Sequence, residues 1–224
     1  MPGPSSYNVL AGFTENQHAT ADCVVVTEGP CVVTSCTPSD GGVASPAPTA
    51  GVIDVAGGVE PVQLTPGGDG KYTAVQGTKS LFDGGEVLTY TAAGADVPAF
   101  QDTVKAPEQI TVSLPAPVTP PAKLVVSHSS DLKMAWTGGG QSPVKVMIAV
   151  GSTSLGCTFD VASGAGSIPA AALAHLPAGT GGFSLSTQTL KAIQAGAFTV
   201  DLSASMIGTY AQGGLSAGSV DVQP

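Results

Sequence analysis

The residue pattern closest to a catalytic motif is Gly-Leu-Ser-Ala-Gly at residues 214–218, which matches the G-x-S-x-G sequence of hydrolases with a serine nucleophile. In those enzymes the serine lies on a sharp turn between a strand and a helix, and an acid and then a histidine follow it along the chain. Only six residues follow Gly218, and none of them is histidine. We therefore interpret this segment as a glycine-rich turn, and not Ser216 as a nucleophile.

The three histidines offer little acid–base or metal chemistry. His18, His128 and His175 lie too far apart along the chain to show the spacing of metal ligands. His128 belongs to the segment SHSSD, whose serines and aspartate could be read as a catalytic cluster. Side chains this close in sequence rarely converge as a triad does, so we expect a turn capped by hydroxyl and carboxylate groups.

Aspartates recur near the predicted turns, where their oxygens would suit calcium. The recurrent positions are Asp40, Asp54, Asp69, Asp83, Asp96 and Asp102. None belongs to the D-x-D-x-D-G-x5-E arrangement of a calcium loop, and a calcium site needs several converging oxygens. We expect solvated turn aspartates and no cofactor, with a calcium site as the alternative. A catalytic pair of carboxylates also stays open, because glycosidase acids converge from distant strands.

Four cysteines carry the most specific chemistry in the chain. They are Cys23, Cys31, Cys36 and Cys157. An even number favours disulfides, and the spacing C-x7-C-x4-C lacks the paired C-x2-C knuckle and nearby histidine of a zinc site. We expect two disulfides, with zinc ligation or free thiols as alternatives. Because disulfides persist in oxidising compartments, the cysteines predict an extracellular or cell-envelope location.

The positions of the cysteines also suggest how they pair. The runs VVVT and VVTS are β-branched strands on either side of a turn near Glu28-Gly29-Pro30. Pairing that is symmetric about this turn places Cys23 opposite Cys36 and leaves Cys31 for Cys157. Four cysteines allow three connectivities, and the sequence alone leaves the other two open.

The elements that must position these residues are short strands. Gly (30 residues) and Pro (18 residues) are abundant, and β-favouring runs such as GVIDVAG and EVLTYTA alternate with glycine-rich turns. We predict an all-β fold with two antiparallel immunoglobulin-like β-sandwich units, an N-terminal disulfide-stapled hairpin and one short helix at SIPAAALAHL. Trp136, the only tryptophan, is predicted to face the core of the second unit.

The predicted domains follow shifts in composition along the chain. A proline-rich connector, PAPVTPPA, covers residues 115–122. It separates a first sandwich unit at 41–114 from a second unit at 123–224. The N-terminal arm and the cystine hairpin occupy residues 1–40.

Charge and hydropathy exclude two classes of partner. The net charge is −9 and all seven basic residues are lysines, so a polyanion would be repelled and would meet no guanidinium groups. We therefore expect no nucleic-acid partner. No apolar run approaches the roughly 20 residues of a transmembrane segment. The start, MPGPSSYNVLAGF, also lacks the charged and apolar regions of a signal peptide, so we expect Met1 to be an added start codon and the export or anchor segment to be removed.

Several phrases resemble exported, often lipid-anchored proteins of myxobacterial type. These phrases are GPCVVTSC, GADVPAFQDTVKAPEQITV, DLKMAWTGG and GCTFDVASGAGSIPAAALAHLPAG, and the resemblance spans most of residues 23–205. It implies an envelope or extracellular location and a β-sandwich scaffold. It carries over no functional residue, and the lipobox cysteine of an anchored precursor is missing from this sequence.

These observations favour a non-enzymatic structural or adhesive scaffold of the cell envelope or extracellular space. Low charge and exposed strand edges suit packing against other proteins or against copies of the same chain. The alternative is a module that binds carbohydrate or a small ligand through loops of the second sandwich, around the SHSSD and TGGGQSP turns. No nucleophile, metal cluster or cofactor loop points to an enzyme.

Overall fold

The computed structural model describes residues 7–15, 23–37, 47–72, 75–77, 81–118 and 121–224. Within them the fold is all-β with one short helix, which confirms the predicted class. The strands are β1 (Tyr7–Glu15), β2 (Cys23–Glu28), β3 (Cys31–Cys36), β4 (Ile53–Ala56), β5 (Val62–Leu64), β6 (Val75–Gly77), β7 (Val87–Ala92), β8 (Phe100–Lys105), β9 (Ile110–Leu114), β10 (Leu124–Ser127), β11 (Leu132–Gly138), β12 (Val144–Val150), β13 (Thr153–Phe159), β14 (Ala165–Ile168), β15 (Gly179–Ala195), β16 (Phe198–Ile207), β17 (Thr209–Tyr210) and β18 (Ala217–Gln223). Helix α1 is Ala170–Leu173, and a 3-10 turn covers Val161–Ser163.

The strands form one ten-stranded sheet and two four-stranded sheets. The large sheet has the order β2-β3-β13-β12-β15-β16-β1-β6, and β18 and β10 extend from β15. The small sheets have the orders β14-β11-β9-β17 and β5-β4-β7-β8. Two pairs are parallel, β10 with β18 and β17 with β9, which corrects the predicted purely antiparallel arrangement. These partners lie far apart along the chain, so no tight hairpin imposes an antiparallel direction on them.

Strand β15 is the longest strand and the point where the large sheet divides. One of its edges pairs with β12. Its other edge pairs first with β18, over Gly179–Ser184, and then with β16, over Ser186–Ala195. The sheet therefore has two branches, β18-β10 and β16-β1-β6, which leave the same edge of one strand.

Two separate clusters of buried side chains lie on the inner face of the large sheet. Core 1 is formed with the sheet β14-β11-β9-β17, and core 2 with the sheet β5-β4-β7-β8. Phe183 and Leu185 of β15 belong to core 1, whereas Ala195 of the same strand belongs to core 2. These positions are all odd-numbered, so they share one face of the strand. The inner face of β15 thus contributes to both cores.

Core 1 contains the only tryptophan and also residues from outside the predicted second unit. Trp136 is 2% exposed, and its Nε1 donates a hydrogen bond to the carbonyl oxygen of Val161 at 3.0 Å, which confirms its inward orientation. Ile110 of β9 and Val33 of the hairpin pack in the same cluster. The domain boundaries stay a prediction. None of the helices in the described residues is long and apolar enough to cross a membrane.

The structure has both expected disulfides. Cys23 and Cys36 lie directly opposite each other on β2 and β3, and Cys31 lies opposite Cys157 on β13. Cys31 and Cys36 are five positions apart on one strand, so their side chains point to opposite faces of the sheet. The Cys31–Cys157 disulfide is fully buried in core 1, whereas Cys23 and Cys36 remain partly exposed. One bond joins the hairpin to the core, and the other closes its open end.

This difference in burial predicts stepwise reduction. A mild thiol reductant without denaturant should open Cys23–Cys36 first, because a thiolate must reach the sulfur that it attacks. Alkylation followed by peptide mapping should then find label on Cys23 and Cys36 while the fluorescence of Trp136 stays native. Labelling of Cys157 at the same rate would show that the hairpin is not held against core 1 as described.

Candidate functional site

The candidate site is the face of the large sheet that points away from core 1. Two rows of side chains, each linked by cross-strand pairs, run over six strands from β2 to β18. The first row is Thr27, Val32, Gly156, Met147, Ser184 and Ala217. The second row is Val25, Thr34, Ser154, Ala149, Gly182 and Ser219. These residues are exposed or half-buried, and we call them the outer face.

The outer face carries no ionisable side chain, although the chain has 16 acidic and seven basic residues. Its apolar members include Val25, which is 60% exposed, Met147 at 43% and Val32 at 41%. The remaining members are small residues, most of them with hydroxyl groups. Charged side chains appear one row beyond, where Lys145 lies on β12 and Asp221 on β18. Lys123 also reaches the margin with Asp221, because its Nζ donates to the Thr180 hydroxyl at 2.7 Å and Thr180 lies opposite Asp221. The result is an uncharged apolar and hydroxyl surface with Lys145 at one margin and both Lys123 and Asp221 at the other.

The sequence of β12 and β13 explains why this surface is exposed and why side chains at its centre project little from the sheet. Val146 and Ile148 alternate with Met147 and Ala149, so the first pair packs in core 1 while the second points outward. Gly156 lies directly opposite Met147, and a Cβ atom at position 156 would be 3.1 Å from the Met147 sulfur. The absence of a side chain at Gly156 therefore leaves room for the Met147 thioether.

Apart from the hairpin of β2 and β3, the sequence does not predict which strands of this surface are neighbours. The period-two pattern of VKVMIAV identifies Met147 as an outward residue once its neighbours are assigned to the core. The pairing of β12 with both β13 and β15 cannot be read from that pattern. The alternation of apolar core residues with outward residues is therefore the sequence signal for the outer face. The order of the strands in the sheet, which is also needed to assemble the face, is not encoded in that signal.

The histidines do not form a site in the described residues. His18 lies outside them. The Nε2 of His128 is buried and has no hydrogen-bond partner among the described residues, and His175 Nε2 lies 3.7 Å from a Glu28 carboxylate oxygen. The His175 contact joins the end of α1 to the hairpin. No group of three or more His, Cys, Asp or Glu side chains that could hold a metal is found in the described part of the chain.

Asp131, at the end of the SHSSD segment, fixes helix α1 in place. Its carboxylate accepts hydrogen bonds from the Ala170 N–H at 3.0 Å, from Lys133 at 3.0 Å and from Ser167 at 3.2 Å. These bonds, that from Ala170 above all, lower the pKa of the Asp131 carboxyl. The predicted hydroxyl cap of this turn is present, since Ser127 Oγ accepts from the Ser129 N–H at 3.2 Å, whereas the Asp131 carboxylate caps a helix 39 positions away.

The turn aspartates have local roles in the structure. Asp40 lies outside the described residues. The others make separate contacts: Asp54 accepts from Gln63, Asp69 from the Lys71 N–H, Asp96 from the Thr49 N–H and Asp102 from Lys191, while the Asp83 N–H donates to Glu86. The hydrogen bond from Lys191, at 2.5 Å, lowers the pKa of Asp102 and joins β8 to β15.

A second candidate is a small, mostly apolar cleft beside the β18 end of the outer face, in which about 20 Å³ is open to the centre of a water molecule. Its walls are formed by Pro115, Val118, Leu124, Phe183, Tyr210 and Leu215. Burial raises the pKa of the Tyr210 phenol, so this group stays neutral at physiological pH. The SHSSD and TGGGQSP loops, which belong to the alternative ligand-binding hypothesis, do not line this cleft. Instead the proline-rich connector and the GLSAG segment do, and neither segment was predicted to bind a ligand.

Ser216 occupies the point where the large sheet divides. It is fully buried, and its hydroxyl lies 2.7 Å from the Leu185 carbonyl oxygen and 2.9 Å from that of Gly208. Leu185 is the residue of β15 between the segments that pair with β18 and β16. A hydroxyl held in this way has no access to a substrate. The motif at 214–218 therefore supplies a structural contact between the branches.

No protein-family model matches the chain, and no curated protein matches it either. The functional argument therefore depends on the residues described above. The resemblance to exported myxobacterial proteins stays a prediction.

Ser216→Ala tests the role assigned to this hydroxyl. We expect the free energy of unfolding to fall by about 1 kcal/mol, the usual contribution of one buried hydrogen bond. The loss stays small because both carbonyls also accept backbone N–H bonds, from Gly208 and from Ser216 itself. Urea unfolding followed by Trp136 fluorescence measures the change. Ser219→Ala, at an exposed serine of β18, is the control, and equal effects of the two changes would contradict the assignment.

Proposed function

We propose that the protein is an exported, non-enzymatic scaffold of the cell envelope or extracellular space, which binds protein through its outer face. The observation that carries this proposal is the uncharged outer face itself, which exposes Val25, Val32 and Met147 on a strongly acidic chain. A contiguous exposed apolar patch on a soluble protein is typical of an interaction site. The two disulfides support an oxidising compartment.

The construction of the outer face suits a scaffold. Its strands are fixed from below by core 1, and its hairpin edge is fixed by both disulfides. A rigid surface loses little conformational entropy when it binds, so even modest contacts contribute to affinity. The proposal also includes two immunoglobulin-like sandwich units and a lipid anchor on the precursor. Both rest on the resemblance to exported, often lipid-anchored proteins of myxobacterial type.

The cleft supports a second candidate function, the binding of a carbohydrate or small apolar ligand. Phe183 and Tyr210 lie together in its wall, and aromatic side chains pack well against sugar faces and apolar groups. The cleft is small and shares Ala217 and Ser219 with the outer face. A ligand here would therefore lie at the margin of the proposed protein-binding surface.

Met147→Glu tests the scaffold function. Immobilised protein is exposed to a detergent extract of the envelope of the cells that produce it, and the retained proteins are quantified. We expect retention to fall at least about tenfold, because a carboxylate at the centre of an apolar contact is desolvated without a partner. Val87→Glu is the matched control, since Val87 is a strand valine of the sheet β5-β4-β7-β8 and is 58% exposed. Equal retention by both variants, or none by the wild type, would exclude this function.

Tyr210→Ala tests the ligand-binding alternative. A glycan array and a panel of small aromatic alcohols are screened with the wild-type protein. Binding through the cleft should be lost in Tyr210→Ala and kept in Met147→Glu, because Met147 is not part of the cleft wall. An absence of wild-type hits, or hits that survive Tyr210→Ala, would exclude the cleft as the site.

A further inference from the structure

We propose that the partner of the outer face is a second copy of this chain, related to the first by a two-fold axis. This inference rests on the proposed function, because it assigns a partner to the same surface. It commits to one arrangement, in which two outer faces pack against each other with their centres in register. The centre lies between β13 and β12, the third and fourth of the six strands, where Gly156 is opposite Met147.

The chemistry of the outer face is complementary to itself. Its hydroxyl groups belong to Thr27, Thr34, Ser154, Ser184 and Ser219. A hydroxyl both donates and accepts hydrogen bonds, so identical hydroxyls satisfy each other across an interface. The apolar groups need only other apolar groups. A two-fold interface brings the same patch of both copies together, which is the arrangement that such a surface fits.

Net charge favours this face over the rest of the surface for self-association. Two copies, each with a formal charge of −9, repel each other wherever acidic groups approach. The outer face has no acidic group, so contact there adds no close repulsion. A strongly cationic partner, by contrast, would gain nothing from a surface without charges.

The charges at the margins lie outside the contact between the two rows. Lys145 lies on β12, opposite Ser186 of β15, one row before the first row of the face. Asp221 lies on β18, opposite Thr180 of β15, one row after the second row, and the Lys123 Nζ donates to the Thr180 hydroxyl at 2.7 Å. An interface centred between β13 and β12 keeps these three charges at its rim, where solvent screens them.

The size of the face predicts a weak dimer. Six strands spaced about 4.8 Å apart give a width of about 29 Å, and the two rows of the face together with the charged row at each margin give a length of about 20 Å. Two such faces bury about 1,200 Å² in total, which is the lower limit of specific protein interfaces. We therefore expect an association that depends on concentration and that single substitutions can break.

Sedimentation equilibrium of the full chain at concentrations from about 1 μM to about 1 mM tests the inference. The weight-average mass should rise from 21.9 kDa toward twice that value. Met147→Glu should weaken the association at least about tenfold. Ala149→Glu, at a second exposed position of β12, should do the same, and Val87→Glu should not. Fluorescence of the buried Trp136 shows whether each variant is folded.

A monomer at the highest concentration, or a dimer indifferent to Met147→Glu, would each overturn the inference.

The outcomes separate this inference from the wider proposal. A monomeric chain whose retention of envelope proteins still depends on Met147 would remove the second copy as partner and keep the scaffold function. A dimer broken by Met147→Glu, together with no retained envelope protein, would keep the inference and remove the wider function. Failure of both experiments would remove both.

Discussion

The division of the large sheet at β15 is the constraint on which the rest of the structure depends. One edge of this strand carries two different partners in succession, and between them Leu185 exchanges hydrogen bonds with Gly208 and Ser216. A divided sheet would leave buried backbone groups unpaired at the fork, which is costly away from water. The buried Ser216 hydroxyl and the turn that carries it supply partners at this point. Both cores then share the inner face of a single strand.

This arrangement also explains why a continuous surface exists on the other side. Because core 1 covers only the inner face of β2-β3-β13-β12-β15-β18, every second residue of these strands must face outward. The buried disulfide fixes the hairpin as part of this sheet, so β2 and β3 widen the outer face by two strands. Most side chains of the outer face are small and project little from the sheet. The exposed valines and Met147 make the face apolar. The proposed association follows from these features together.

The sequence was informative where the signal is local. The cysteine spacing about Glu28-Gly29-Pro30 predicts the cross-strand pair Cys23–Cys36, and the inward position predicted for Trp136 agrees with its burial. It was uninformative where contacts join distant segments. The parallel pairing of β10 with β18 depends on the tertiary fold, and so does the hydrogen bond that the Asp131 carboxylate accepts from the first residue of α1. No local sequence pattern encodes either contact. For the same reason the sequence did not predict the outer face, because its residues come from six strands that are not in sequence order in the sheet.

The most direct test of this account is whether the two cores unfold together. Trp136 reports on core 1, and amide hydrogen exchange of β7 reports on core 2. Because β15 contributes to both cores, we expect the fluorescence transition in denaturant and the loss of β7 protection to have the same midpoint. Loss of β7 protection at a clearly lower denaturant concentration than the Trp136 transition would contradict the account, since core 2 would then be an independent unit.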